Sequence, residues 1–186
     1  MKGISILIVC ILLLTSCKNV APSSTPTKET LASEFIDAFY SFDKVRLASV
    51  LSEAKESQPS ILYYQKWAKC GNYMVLNRQD FVVQNDSTLL CPVTVKDDLM
   101  AALAIDFNVT DTFRITVKKG NIRSVTTSSN DPDLYYTAKD WVKQNRNEII
   151  EVPCEGIWEG GPTPCECIKA MIRGFGEFKK ETNTEP

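Results

Sequence analysis

The stretch Val109–Val117, VTDTFRITV, alternates without a break. Val109, Asp111, Phe113, Ile115 and Val117 fall on one side, and the threonines and Arg114 fall on the other. A period of two belongs to a β-strand with one face buried. KKGN follows as a turn signal, and IRSVTTSS returns as a partner strand, so this part of the chain is committed to an antiparallel hairpin. Its apolar face has to be covered by another element.

The chain before the hairpin has a helical period. Leu31, Phe35, Ala38, Phe39 and Phe42 share a face of a helix over Leu31–Ser41. Asp43 fits a fresh helix start, with Val45, Leu47, Val50 and Leu51 following. Pro59 suits the first turn of a third helix carrying Ile61, Leu62, Tyr64 and Trp67, which Gly71 and Asn72 would end. Tyr73–Leu76, Asp80–Gln84 and Leu89–Lys96 then carry β-branched and aromatic residues at strand spacing. Beyond the hairpin, Asn130-Asp131-Pro132-Asp133 is a breaker and capping cluster. Helices are expected over Leu134–Asn147 and, after a loop rich in proline and glycine, over Cys165–Lys180. Helices, then antiparallel strands, then helices predict an α+β domain, with helices on one side of a curved antiparallel sheet.

The first thirty residues have another character. Lys2 precedes an apolar run, Ile4–Leu14, that falls short of the ~20 apolar residues a membrane-spanning helix needs. The run ends Leu14-Thr15-Ser16-Cys17, which resembles the bacterial lipobox. That resemblance implies removal of residues 1–16, Cys10 among them, and acylation of the Cys17 sulfur. Each buried methylene contributes roughly 0.8 kcal/mol, and two or more chains anchor stably. VAPSSTPTKET then lacks the large apolar groups needed to offset ordering entropy. The expected organisation is a signal over 1–16, a lipidated flexible linker over 17–30, a domain over 31–180 and a tail over 181–186. The expected location is the cell envelope, lipid-anchored to the inner or outer membrane.

The formal net charge is −2 and the basic residues are scattered, which argues against a nucleic-acid partner. Five cysteines follow Cys17, and an exported protein meets oxidising conditions. The expected bridges are Cys70 with Cys91, and Cys154 with Cys167 or alternatively Cys165, leaving one thiol. Cys154, Cys165 and Cys167 cluster in sequence, but there is no histidine and Cys-x-Cys is not a usual zinc spacing, so no metal is expected.

SEFIDAFYSFDKVRLASVLS, an aromatic-rich helix, and CPVTVKDDL followed by TDTFRITVKKGNIRSVTTSSNDP together resemble the nuclear transport factor 2-like superfamily, shared with SnoaL-like proteins. More narrowly, the chain is similar to secreted bacterial members ending in a cysteine-bearing GGPTP loop and a helix. The resemblance spans roughly Leu31–Phe178. It implies a cone-shaped fold with a hollow between sheet and helices. Relatives of this shape include isomerases, cyclases and dehydratases, non-catalytic ligand- or protein-binding modules, and dimers joined through the open sheet face.

Without histidine, acid–base chemistry would fall to carboxylates and tyrosines. Asp111 is the candidate, being on the face of Val109, Phe113 and Ile115; the expected position is a solvated strand end at the rim. Tyr40, Tyr63, Asp37 and Asp43 rank lower, Asp43 as a helix cap. Asp97-Asp98 reads as a turn, because adjacent strand residues face opposite sides. Phe35, Phe39, Tyr64, Trp67 and Phe113 are candidate pocket residues, most of them expected to be packing core. The function expected is a lipid-anchored envelope protein whose non-catalytic domain binds a small apolar ligand or another envelope protein. The alternatives are a carboxylate-dependent isomerase, cyclase or dehydratase, and a structural homodimer. No cofactor is implied.

Overall fold

The structure, a computed structural model, describes residues 25–157 and 165–182. The predicted signal, Cys17 and most of the linker lie outside the described residues, as does the GGPTP segment. Three helices come first: α1 (Lys28–Tyr40), α2 (Lys44–Val50) and α3 (Gln58–Cys70). Strands β1 (Met74–Arg78), β2 (Val82–Asn85) and β3 (Thr88–Lys96) follow, then a short α4 (Asp98–Ala102). The hairpin is β4 (Val109–Lys118) and β5 (Asn121–Ser129), and α5 (Asp133–Asn145), α6 (Asn147–Ile150) and α7 (Cys165–Thr182) complete the set.

The five strands form one antiparallel sheet, so the fold is α+β as the element order predicts. β1 and β2 share one edge of β3, while β4 takes the other and β5 lies beyond it. Lys119 and Gly120 both have positive φ, 53° and 68°, the left-handed pair that a two-residue hairpin turn requires. Register shifts interrupt β1, β2 and the β4–β5 ladder, and such bulges bend a sheet.

One sheet face is apolar. Leu89, Cys91, Val93 and Val95 of β3 stand opposite Ile115, Phe113, Asp111 and Val109 of β4, and all eight are buried. α1 packs on β3 and β4, α3 packs on β5, and α7 lies against α3, α4, α5 and α6. Phe35, Phe39 and Phe113 meet at the centre, with ring centroids 4.9–6.1 Å apart, and none is exposed. The opposite face presents Thr94, Thr110, Thr112 and Thr126.

Several expectations need correcting. α1 begins at Lys28, inside the expected linker, because the Thr27 side chain accepts the Thr30 N–H and caps the helix. α7 likewise runs two residues into the expected tail, to Thr182. α4 and α6 were not foreseen, since elements of five and four residues are too short to show a 3.6-residue period. Cys70 does not pair with Cys91 but with Cys165, joining the end of α3 to the start of α7. Cys91 alternates inward on β3 opposite Phe113, where it stays a buried free thiol that burial pushes up to about 12. Cys154 pairs with Cys167, the first of the two alternatives.

Candidate functional site

Asp111 is not at a solvated rim. It is fully buried, and three hydroxyls converge on it. Tyr64 of α3 donates to Oδ1 at 2.6 Å, Ser129 of β5 donates to the same oxygen at 2.6 Å, and Tyr40 at the end of α1 donates to Oδ2 at 3.1 Å. A carboxylate surrounded by apolar side chains would be expensive without such donors. Burial raises the Asp111 carboxyl, and the three hydrogen bonds from Ser129, Tyr64 and Tyr40 work against that rise. Burial and the neighbouring charges hold the Tyr40 and Tyr64 phenols well above the usual tyrosine range, so they remain neutral donors.

The hairpin bulge is what recruits Ser129. Lys118 pairs with Asn121, and an uninterrupted register from there would set Ser128 opposite Asp111. The shift between Thr116 and Val117 advances β5 by one residue, placing Ser129 there instead.

In front of this network lies a hollow of about 210 Å³. Tyr63, Tyr64 and Trp67 of α3 and Tyr73 just after it form one wall. Asp97, Leu99 and Met100 at the start of α4 form a second, and Ser129, Asp131 and Tyr135 close the third. At ~30 Å³ per water this is room for several waters or one small organic molecule, below the ~300–1,000 Å³ of drug-sized sites.

Asp97 is the informative residue of the wall. It caps α4, its Oδ1 accepting the Met100 N–H at 2.9 Å, while Oδ2 is buried without a hydrogen-bond partner. The residue is only 3% exposed. Burial pushes its carboxyl up to about 6, against hydrogen bonds from the Met100 and Leu99 backbone that pull it down. Asp131 is raised too, first by burial; its Oδ2 accepts the Tyr136 hydroxyl at 3.3 Å, and the charge of Lys139 opposes the rise. Burial and the Asp97 charge raise the Tyr73 phenol, and burial with Asp131 and Asp97 raises Tyr135.

The sequence candidates therefore separate. Tyr63, Tyr64 and Trp67 line the hollow, and Tyr40 and Asp111 lie in the hydroxyl network behind it. Phe35, Phe39 and Phe113 are core rather than lining. Asp43 caps α2 through the Val45 and Arg46 N–H groups, and Asp37 forms an exposed ion pair with Arg78 at 2.5 Å. Asp97, Tyr73, Asp131 and Tyr135 were not singled out as a site. The usable signal was Asp97 placed three residues before Met100, at capping distance from an apolar run. Two larger hollows, about 340 Å³ along α3 and β5 and about 260 Å³ beside Arg78 and Phe81, hold no buried unpartnered acid and are the weaker candidates.

The fold and site define an α+β domain with a small, aromatic and acidic hollow at one end of its sheet. No family model matches the sequence, and neither does any curated protein. Among solved structures, the chain is similar to an NTF2-like protein of unknown function from Cytophaga hutchinsonii, at 12% identity and a TM-score of 0.42, covering 61% of this chain and 98% of that one.

Proposed function

We propose that this chain is a bacterial cell-envelope lipoprotein whose nuclear transport factor 2-like domain binds a small ligand in the hollow between α3, α4 and α5. The reading of the anchor rests on Leu14-Thr15-Ser16-Cys17 and the polar spacer after it. The reading of the domain is carried by one observation: a cavity walled by Tyr63, Tyr64, Trp67, Tyr73 and Tyr135 that also holds two carboxylates. Aromatic walls with a few placed polar groups are the composition of small-molecule sites.

A test of both halves uses the full chain expressed in a bacterial host. The Cys17→Ser variant should leave the membrane fraction and lose the acyl mass at its amino terminus. Purified native protein, exposed to an envelope extract and washed, should retain a small molecule that Trp67→Ala does not. Equal retention by the two proteins would refute the pocket, and unchanged membrane association of Cys17→Ser would refute the anchor.

The hydroxyl network favours a second reading, a carboxylate-dependent isomerase or dehydratase. Asp111 has tyrosines within hydrogen-bond reach, but it is fully buried behind the wall. Asp97, a residue of the hollow's wall with a carboxyl at about 6, would carry the proton instead. Recovery of the retained compound chemically altered would establish this reading over simple binding.

A further inference from the structure

The charge of the hollow narrows its ligand. Asp97 and Asp131 stand in the wall and Asp111 lies directly behind it; Asp131 and Asp111 raise the proton affinity of Asp97, and Asp111 raises that of Asp131. Among the described residues, no lysine or arginine lines the cavity. Lys139 acts on the Asp131 side, where its Nζ also sits 5.3 Å from the Tyr136 ring centroid. Asp97, one of the wall residues, is 3% exposed and leaves its Oδ2 buried without a hydrogen-bond partner. An unmatched buried carboxylate is costly, and a cation offsets that cost more fully than a neutral donor.

The remaining walls suit the same ligand. Tyr73, Trp67 and Tyr135 are aromatic wall residues, and the negative quadrupole of an aromatic face attracts an ammonium group. Leu99 and Met100 supply apolar contact for alkyl substituents. A metal ion fits less well: among the described residues no group of three His, Cys, Asp or Glu side chains could hold one. A volume of about 210 Å³ limits the ligand to a small molecule.

Resting on the ligand-binding reading above, we propose that the hollow binds a small organic cation of the alkylammonium class, with Asp97 as its counter-ion and the tyrosines and Trp67 as its cage. The discriminating probes are choline, tetramethylammonium and ethanolamine against 3,3-dimethylbutan-1-ol, the neutral carbon isostere of choline, and glucose. Isothermal titration of the full chain in detergent should show at least one ammonium compound binding about 30-fold or more tightly than the isostere, the discrimination expected of a desolvated aromatic cage. Asp97→Asn should weaken that binding at least about tenfold, since it removes the charge from a charge-assisted contact. Asparagine is an equally good helix cap, so α4 keeps its start. Asp131→Asn provides a second variant with the same expected direction.

Equal binding of choline and its isostere, or preferential binding of glucose, overturns the cation and leaves a neutral-ligand pocket standing. Failure of all three ammonium probes to bind at about 10 mM, well above the millimolar range of weak specific binding, also overturns it. Ammonium binding that is unaffected by both Trp67→Ala and Asp97→Asn takes down the pocket reading itself.

Discussion

Asp97 uses one oxygen to cap a helix and leaves the other unmatched, and this division makes its charge a burden on the folded state. Its carboxyl moves from 3.8 to about 6 on folding, chiefly through burial, with Tyr73, Tyr135, Asp131 and Asp111 as its titratable surroundings. The folded state therefore holds this proton more tightly than the unfolded chain. The contribution of Asp97 is most favourable below about 4, falls as pH rises from 3.8 to about 6, and is fully unfavourable above that, by roughly 3 kcal/mol at about 1.4 kcal/mol per pH unit. Asp97→Asn removes the charge and keeps the cap. Urea unfolding should find the variant more stable than native by up to roughly 3 kcal/mol at pH 8 and equal to it at about pH 3. A stability difference that does not change with pH would show that Asp97 is not held in this environment. A loss of ligand affinity in a more stable protein would mark a functional residue whose place in the fold is bought with stability. Asp97 was hard to find in the sequence because Asp97-Asp98 looks like any polar turn, and only α4 folding back against α7 buries one of the pair.

α5, which carries Tyr135 of the site, makes a close approach to α7. A Cβ at Gly174 would stand 2.7 and 2.8 Å from the two γ-carbons of Val142, which is itself fully buried. Gly176, two residues further along the same helix, would meet nothing within 4 Å. The two glycines should therefore respond oppositely. Gly174→Ala is expected to destabilise by about 1–3 kcal/mol through overpacking, despite the better helix propensity of alanine. Gly176→Ala is expected to stabilise by about 0.5–1 kcal/mol. Thermal unfolding of the two single variants checks this, and a shared sign would mean that α5 and α7 do not meet at Gly174. Element identity was legible where the pattern was long. The alternation over β4 held from Val109 to Ile115, and only Val117, beyond the bulge, is half-exposed. β1 and β2 were recognisable as strands, yet Met74, Leu76, Val82 and Val83 remain exposed there, a consequence of their lying along the edge of β3.

At the scale of the whole molecule, two disulfides among the described residues fasten α7, one to the end of α3 and one to the segment after α6. Cys70–Cys165 spans 95 residues and Cys154–Cys167 spans 13. In the chain-entropy model the first constrains the unfolded chain more, contributing about 4–5 kcal/mol against about 3 kcal/mol. Urea curves of Cys70→Ser/Cys165→Ser and Cys154→Ser/Cys167→Ser double variants should reproduce that order; a larger loss from the shorter loop would contradict it. Pairing each cysteine with a near neighbour led to Cys70–Cys91, because sequence distance carries no information about a helix that returns across the domain. The sequence by itself determined the longer elements and the α+β class, since side-chain periods of two and 3.6 are local properties that each sufficiently long segment carries alone. It also marked Asp111 as an acid on an apolar face. Tertiary structure decided which cysteines meet, which hydroxyls reach Asp111, and that Asp97, Asp131 and the tyrosines share one hollow. Those are relations between segments up to about a hundred residues apart, fixed by packing and by a one-residue bulge that no local pattern encodes.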